Sequence, residues 1–345
     1  MVFPKKDKIR QGVASMLEVN LAVQDGEKVL IMTDPPPLHQ WGDLGLEGLL
    51  EALERCALAR ILADLAAELI PGSEITFLPY PSVGRHSAEL DPETVKRMRT
   101  SDVIIAITNY SLTHTMARQW ACESGARIAS MPGFLPQMFE GPMTADYYRV
   151  AEDSKKMAAL LTEAGTAVIT TPLGTELTLD LQGRSGGADT GLIISRGRLD
   201  NLPAGEAFIA PVEGKAEGKI IVTPKGYAPL EKQMTLHFER GEVTEIEGGG
   251  KVGEEYRGLL KLPEPGRQAA RRNLAELGIG TNPEARSVES MLEAEKIKGT
   301  VHIAIGDNAH LGGIVEADLH QDFVLWEPDL LLDGRVIIEG GKWLV

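Results

Sequence analysis

The sequence predicts an α/β protein: an N-terminal parallel-sheet α/β domain, residues 1–166, followed by a β-rich α+β domain, residues 167–345. Two observations predict it. In the first half, apolar strands such as VIIAIT (Val103–Thr108) alternate with helical stretches, the pattern of a parallel sheet with helical crossovers. From about Ala167 onward, short alternating segments take over: GTELTLDL, GKIIVTP, QMTLHFERGEVTEIEGG and LLLDGRVIIEGGKWLV. Period-two alternation of that kind belongs to antiparallel strands with one face buried.

The elements of the first half follow in order. KVLIMT (Lys28–Thr33) is a short apolar strand. A long helical run over 45–69 is closed by Pro71-Gly72, and 74–78 is extended again. Asp91-Pro92 marks a helix start, with Asp as N-cap and Pro at the first helical position. Residues 113–124 are helical with Gly125 as C-cap, 127–131 form another strand, and a helix covers 153–164. In the second half Arg240-Gly241 and Asp333-Gly334 lie between alternating runs and predict hairpin turns. One helical patch is expected near 265–277.

Composition narrows the function classes. The 345 residues are 43% hydrophobic, with 50 acidic against 35 basic residues and a formal charge of −15. An acidic surface argues against nucleic acid as a main partner, because phosphate binding needs basic groups. No apolar run reaches the roughly 18–20 residues that span a bilayer, and MVFPKKDKIRQG has no signal-peptide hydrophobic region. A cytoplasmic protein without a membrane partner is expected. Cys56 and Cys122 sit in helical stretches and read as small core residues, so any metal must be held by histidine and carboxylate.

Such a set is visible near the C-terminus, in TVHIAIGDN (300–308) and ADLHQDF (317–323). His320 and Asp322 are two apart, and on a strand residues i and i+2 share a face. His302 on a neighbouring strand supplies a third donor. Imidazole with carboxylate suits Zn, Mn, Co or Fe(II) better than Ca or Mg. Glu206 opens GEAFIAP and Glu276 opens ELGIGTN, each entering an apolar run where a carboxylate needs a partner or a cation. Capping or solvent exposure is the plainer alternative for each. His237 reads as structural, the acidic Glu242, Glu245 and Glu247 as a solvated strand face, and Glu254-Glu255 as a loop. His114, in THT, is a candidate substrate contact, with capping by Thr113 equally consistent.

NLPAGEAFIAPVEGKAEG, NLAELGIGTNP, GTVHIAIGDN and HQD together resemble the aminopeptidase T family of leucyl-type metalloaminopeptidases, as do SLTHTMARQWACESGARIASMPG and GTELTLDLQGR. The resemblance implies a homodimer in which the second domain is catalytic and holds one or two divalent ions (Zn, Co or Mn). Glu206, Glu276, His302, His320 and Asp322 would be the ligands. It further implies release of N-terminal residues from small peptides by metal-activated water, with Glu206 or Asp307 as proton shuttle.

One departure stands out. Characterised peptidases of that family carry a tyrosine where this chain has Ala309, with His310 beside it. A ring-cleaving branch of the same fold, acting on dihydroxypyridine through one Fe(II) held by two histidines and a carboxylate, also resembles this chain. That branch has a histidine at the position of Glu276, and His302, His320 and Asp322 are the residues that could form its triad here. The sequence therefore carries three readings: a metal-dependent aminopeptidase, a non-haem Fe(II) ring-cleaving dioxygenase, and a divergent member of the fold without peptidase turnover.

Overall fold

The computed structural model describes residues 5–112, 115–260 and 269–345. It divides into two compact units, Met1–Tyr148 with Gly191–Ala204, and Arg149–Thr190 with Gly205–Val345. The chain thus changes unit at Tyr148/Arg149 instead of near residue 166. Met157, Ala158 and Leu161, on the helix Tyr147–Glu163, belong to the hydrophobic core of the second unit, which draws that helix away from the first. Gly191–Ala204 returns to the first unit, a non-local excursion that no composition shift announces.

In the first unit β1 (Lys28–Thr33), β2 (Glu74–Pro79), β3 (Val103–Thr108) and β4 (Arg127–Pro132) form a parallel sheet. Its order is β2-β1-β3-β4, extended beyond β4 by the parallel strand Leu199–Asn201. Five of six residues in β1 and all six in β3 are buried, which is why these strands read as continuous apolar runs. The helix Trp41–Leu69 follows β1. Asp91 caps Pro92–Arg99 as expected, accepting from the N–H groups of Glu93 and Thr94 at 3.0 Å. Cys56 and Cys122 are half-buried free thiols. Thr113 and His114 lie outside the described residues. No helix among the described residues is long and apolar enough to cross a membrane.

The second unit holds two sheets. Eight antiparallel strands, from Glu242–Gly248 at one edge to Lys342–Trp343 at the other, form the first. The second sheet contains β5 (Gly187–Asp189), β6 (Glu206–Ile209), β7 (Leu274–Gly280), β8 (Val301–Gly306) and β9 (His320–Leu325), in the order β9-β8-β7-β6-β5. Ile169, Leu177, Ile220, Leu236 and Leu330 of the larger sheet share one core with Ile209, Leu277, Ile303 and Phe323 of the smaller. The expected hairpin turns are present, with positive φ at Arg240, Gly241, Asp333 and Gly334.

Two local expectations change. The patch near 265–277 is not a helix where it is described: Ala269–Arg272 is a 3-10 turn, and β7 starts at Leu274. β7 is buried along its whole length, so its apolar residues do not alternate with polar ones, and the strand loses its period-two signature. Conversely, Glu254 and Glu255 lie in a helix, Gly250–Leu260, whose buried Gly253, Tyr256 and Leu260 give it an inward stripe.

Candidate metal centre

The β5–β9 sheet explains how residues distant in sequence meet. In β8, Val301, Ile303 and Ile305 enter the core, so the two-residue period turns His302 to the opposite face. Cross-strand register sets Ala304 against both Asp322 and Glu276, Gly306 against His320, and Gly278 against His302. Glu206 pairs with Gly280 on one side and Asp189 on the other. Leu277, Ile279, Ala207, Ile209, Phe323 and Leu325 are the core-facing neighbours, leaving the carboxylates and imidazoles on the far face.

Glycine makes room for this. A Cβ at Gly278 would lie 1.9 Å from His302 Nε2, so only glycine lets the imidazole lie across β7.

The donors form two overlapping sets: Glu206, Glu276 and His302, and Glu276, His320 and Asp322. Glu276 is common to both, with Oε1 3.5 Å from His302 Nε2 and Oε2 3.2 Å from His320 Nε2. His302 Nε2 is 3.4 Å from Glu206 Oε2, and His320 Nε2 is 3.5 Å from Asp322 Oδ1. All five residues expected to bind metal are therefore gathered at one place. His302, His320 and Asp322 do not fall in one set: His302 groups with Glu206 and Glu276, and His320 and Asp322 group with Glu276.

Three further charged residues belong to the cluster. Lys296 is 1% exposed, with Nζ 2.6 Å from Glu206 Oε1, 2.8 Å from Glu295 Oε1 and 3.5 Å from Asp189 Oδ2. None of these three was singled out in the sequence. EAEKIKGT carries charges of both signs, as a solvated turn does, and only its adjacency to the His302 strand draws attention to it.

Electrostatics follow from burial. Burial opposes a charge on His302, yet the carboxylates of Glu276 and Glu206 outweigh it and lift the imidazole to about 9. His320 is likewise raised, with Asp322 and Glu276 overcoming burial. Glu276 moves down: burial opposes its charge, but hydrogen bonds from both imidazoles prevail. Burial pushes Glu295 up to about 8. Carboxylates outnumber cationic groups here, so the centre attracts positive charge.

The residues fit a divalent cation. Glu206 Oε2 is buried without a hydrogen-bond partner among the described residues, a costly state that a cation would relieve. His320 is already oriented, its Nδ1 2.7 Å from the carbonyl oxygen of Asp307, the outer-shell contact that fixes a ligating imidazole. The Asp307 carboxylate is itself occupied, by His310 Nδ1 at 2.6 Å and the Ala317 N–H at 3.1 Å. His310 lies beside His320, ring centroids 5.1 Å apart.

Comparison with known proteins identifies the family. The model of the NicX family, 2,5-dihydroxypyridine 5,6-dioxygenase, matches residues 17–345. The chain belongs to that family. A 2,5-dihydroxypyridine 5,6-dioxygenase from Pseudomonas putida KT2440 is 25% identical over 259 residues, 69% of this chain and 70% of that protein. The solved structure of 2,5-dihydroxypyridine dioxygenase from P. putida KT2440 superposes with a TM-score of 0.73 at 17% identity, covering 99% of this chain and 98% of that one. Wild-type AmpT from Thermus thermophilus superposes at 0.65 with 18% identity, covering 99% and 100%. The two structural likenesses carry the fold, and both fit the α/β plus β-rich architecture. Membership places this NicX-family chain among enzymes, and it backs the ring-cleaving reading of the sequence better than the peptidase one.

Proposed function

We propose that the chain is a metal-dependent ring-cleaving dioxygenase acting on a hydroxylated pyridine or a related hydroxylated aromatic ring. The observation that carries this reading is the family match across 17–345, together with the Glu276, His320 and Asp322 donor set. That set differs from the two-histidine triad of the ring-cleaving branch by offering one imidazole and two carboxylates, which suits Fe(II) or Mn(II).

Each residue then has a part. Glu276, His320 and Asp322 would hold the cation, and Asp307 keeps His320 Nε2 turned to the centre through its carbonyl. When bound, the metal supplies a Lewis acid and, as iron, a redox centre for dioxygen. Lys296 holds Glu206 in place in the buried cluster. His302 bridges Glu206 and Glu276, tying the two halves of the donor array together.

One observation favours a second reading. Two donor sets sharing one carboxylate is the layout of a two-cation hydrolase, and it supports aminopeptidase activity by the same residues. Loading the protein anaerobically with Fe(II) and measuring oxygen uptake with 2,5-dihydroxypyridine tests the first reading. Aminoacyl-anilide cleavage by Zn(II)- or Mn(II)-loaded protein tests the second. Anilide cleavage without oxygen uptake would overturn the dioxygenase proposal.

A further inference from the structure

The segment 307–319 joins the two strands that carry His302 and His320, and side chains outside it, Glu213 and Arg184 among them, hold its conformation. Glu213, in the connection after β6, is largely buried, at 15% exposure. Its Oε1 accepts from Asn308 Nδ2 and from the Ile314 N–H, both at 2.9 Å. Its Oε2 pairs with the Arg184 guanidinium, which donates a second hydrogen bond to the Gly312 carbonyl at 2.8 Å. Asn308 is fully buried, and its Oδ1 accepts from the Val315 N–H at 2.9 Å. A Cβ at Gly313 would meet the Asn308 side chain at 2.1 Å, so the Gly312-Gly313 pair is what lets the segment fold over that amide.

This frame holds His310. The residue stands on the 3-10 turn Ala309–Leu311, between Asn308 and Gly312, the two points that Glu213 and Arg184 grip. Asp307 fixes its Nδ1 edge, and its ring packs edge-on against His320 at 71°. A histidine 32% exposed and set against a candidate ligand is placed to meet a molecule lying over the centre.

We propose that Glu213 is a positioning residue that, with Arg184, holds His310 beside His320 so that His310 contacts the substrate. The substrate clause rests on the ring-cleaving reading, whereas the positioning of His310 does not. A buried carboxylate accepting two donors and pairing with a guanidinium is a rigid anchor. Its loss takes the acceptor from the buried Asn308 amide, which costs more than the bond is worth when made.

The test uses the full chain loaded with Zn(II), a diamagnetic ion, and compares wild type, Glu213→Ala and Glu213→Gln. Glutamine keeps the oxygen that accepts from Asn308 and Ile314 and loses only the ion pair. We expect the ring-to-ring nuclear Overhauser contact between His310 and His320 to vanish in Glu213→Ala and to return in Glu213→Gln. Amide exchange at Ile314 and Val315 should rise at least about tenfold in the alanine variant, with metal content unchanged. Persistence of the ring contact in Glu213→Ala would overturn the proposal. With the Fe(II) protein and 2,5-dihydroxypyridine, Glu213→Ala and His310→Ala should raise KM by a similar factor, about tenfold for one lost hydrogen bond, and the double variant should be no worse than either. Additive effects would show that Glu213 does not act through His310. Absence of oxygen uptake in wild type would remove the ring-cleaving reading, and the ring contact would still decide the positioning claim.

Discussion

Glu276 Oε2 faces His320 Nε2 at 3.2 Å, while its other oxygen faces His302 on the neighbouring strand. One carboxylate on a fully buried strand therefore links two imidazoles that sequence separates widely. Removing it leaves both imidazoles without their shared anion, whereas removing His320 or Asp322 disables only one donor set. The expected order of bound-metal loss is Glu276→Ala at least as severe as His320→Ala and Asp322→Ala. Each should weaken affinity beyond the 10–100-fold typical of outer-shell changes. Elemental analysis after dialysis checks this, and full metal content in His320→Ala would contradict the site.

Gly278→Ala is expected to act on His302 without replacing any donor. The new Cβ would sit 1.9 Å from Nε2 and 2.2 Å from Cε1 of that imidazole, so the ring must leave its place between Glu206 and Glu276. Overpacking in a buried strand costs about 1–3 kcal/mol, a loss that chemical denaturation can measure. The sharper expectation is chemical: metal binding should fall as it does in His302→Ala. Unchanged metal affinity in Gly278→Ala would mean that His302 is not needed there.

How much of this could be read in the chain itself depends on whether the governing contacts are local. The strands VIIAIT and KVLIMT were legible because burial on both faces produces unbroken apolar runs. The common face of His320 and Asp322 followed from strand periodicity, and Glu206 and Glu276 stood out as charges entering apolar runs. Lys296, Asp189 and Glu295 gave no such signal. Their significance arises from a three-dimensional cluster, and charged residues among other charged residues look solvated. The role of Gly278 was equally hidden, because a glycine shows its purpose only when the side chain crossing it is known. The return of Gly191–Ala204 to the first unit is a pairing of β4 with Leu199–Asn201, a long-range choice without a sequence motif of its own.

Lys296 supplies a prediction about stability. Its ammonium is buried against Glu206, Glu295 and Asp189, so Lys296→Met leaves buried carboxylates uncompensated. Breaking a buried pair from one side costs about 3–5 kcal/mol. Thermal unfolding should therefore shift to markedly lower temperature in Lys296→Met. Adding Glu206→Gln, which removes the carboxylate 2.6 Å from the lost ammonium, should restore part of the loss. A Lys296→Met protein that melts with wild type would show that these contacts carry no weight.

The pH response of the metal-free protein has a definite sign. The folded state raises His302 from 6.5 to about 9, the carboxylates of Glu276 and Glu206 overcoming the opposing effect of burial. A group that binds its proton more tightly when folded stabilises the fold fully below its unfolded pKa and loses that contribution as pH rises through the folded value. The metal-free protein should thus lose stability between about pH 6.5 and 9, by about 3 kcal/mol from this residue at 1.36 kcal/mol per unit. Metal reverses the trend, because it competes with the same protons at His302 and His320, and its apparent affinity rises as they leave. Melting temperatures across that range, with chelator and with added metal, should diverge as pH increases. Parallel curves would mean that protons and metal do not share these imidazoles.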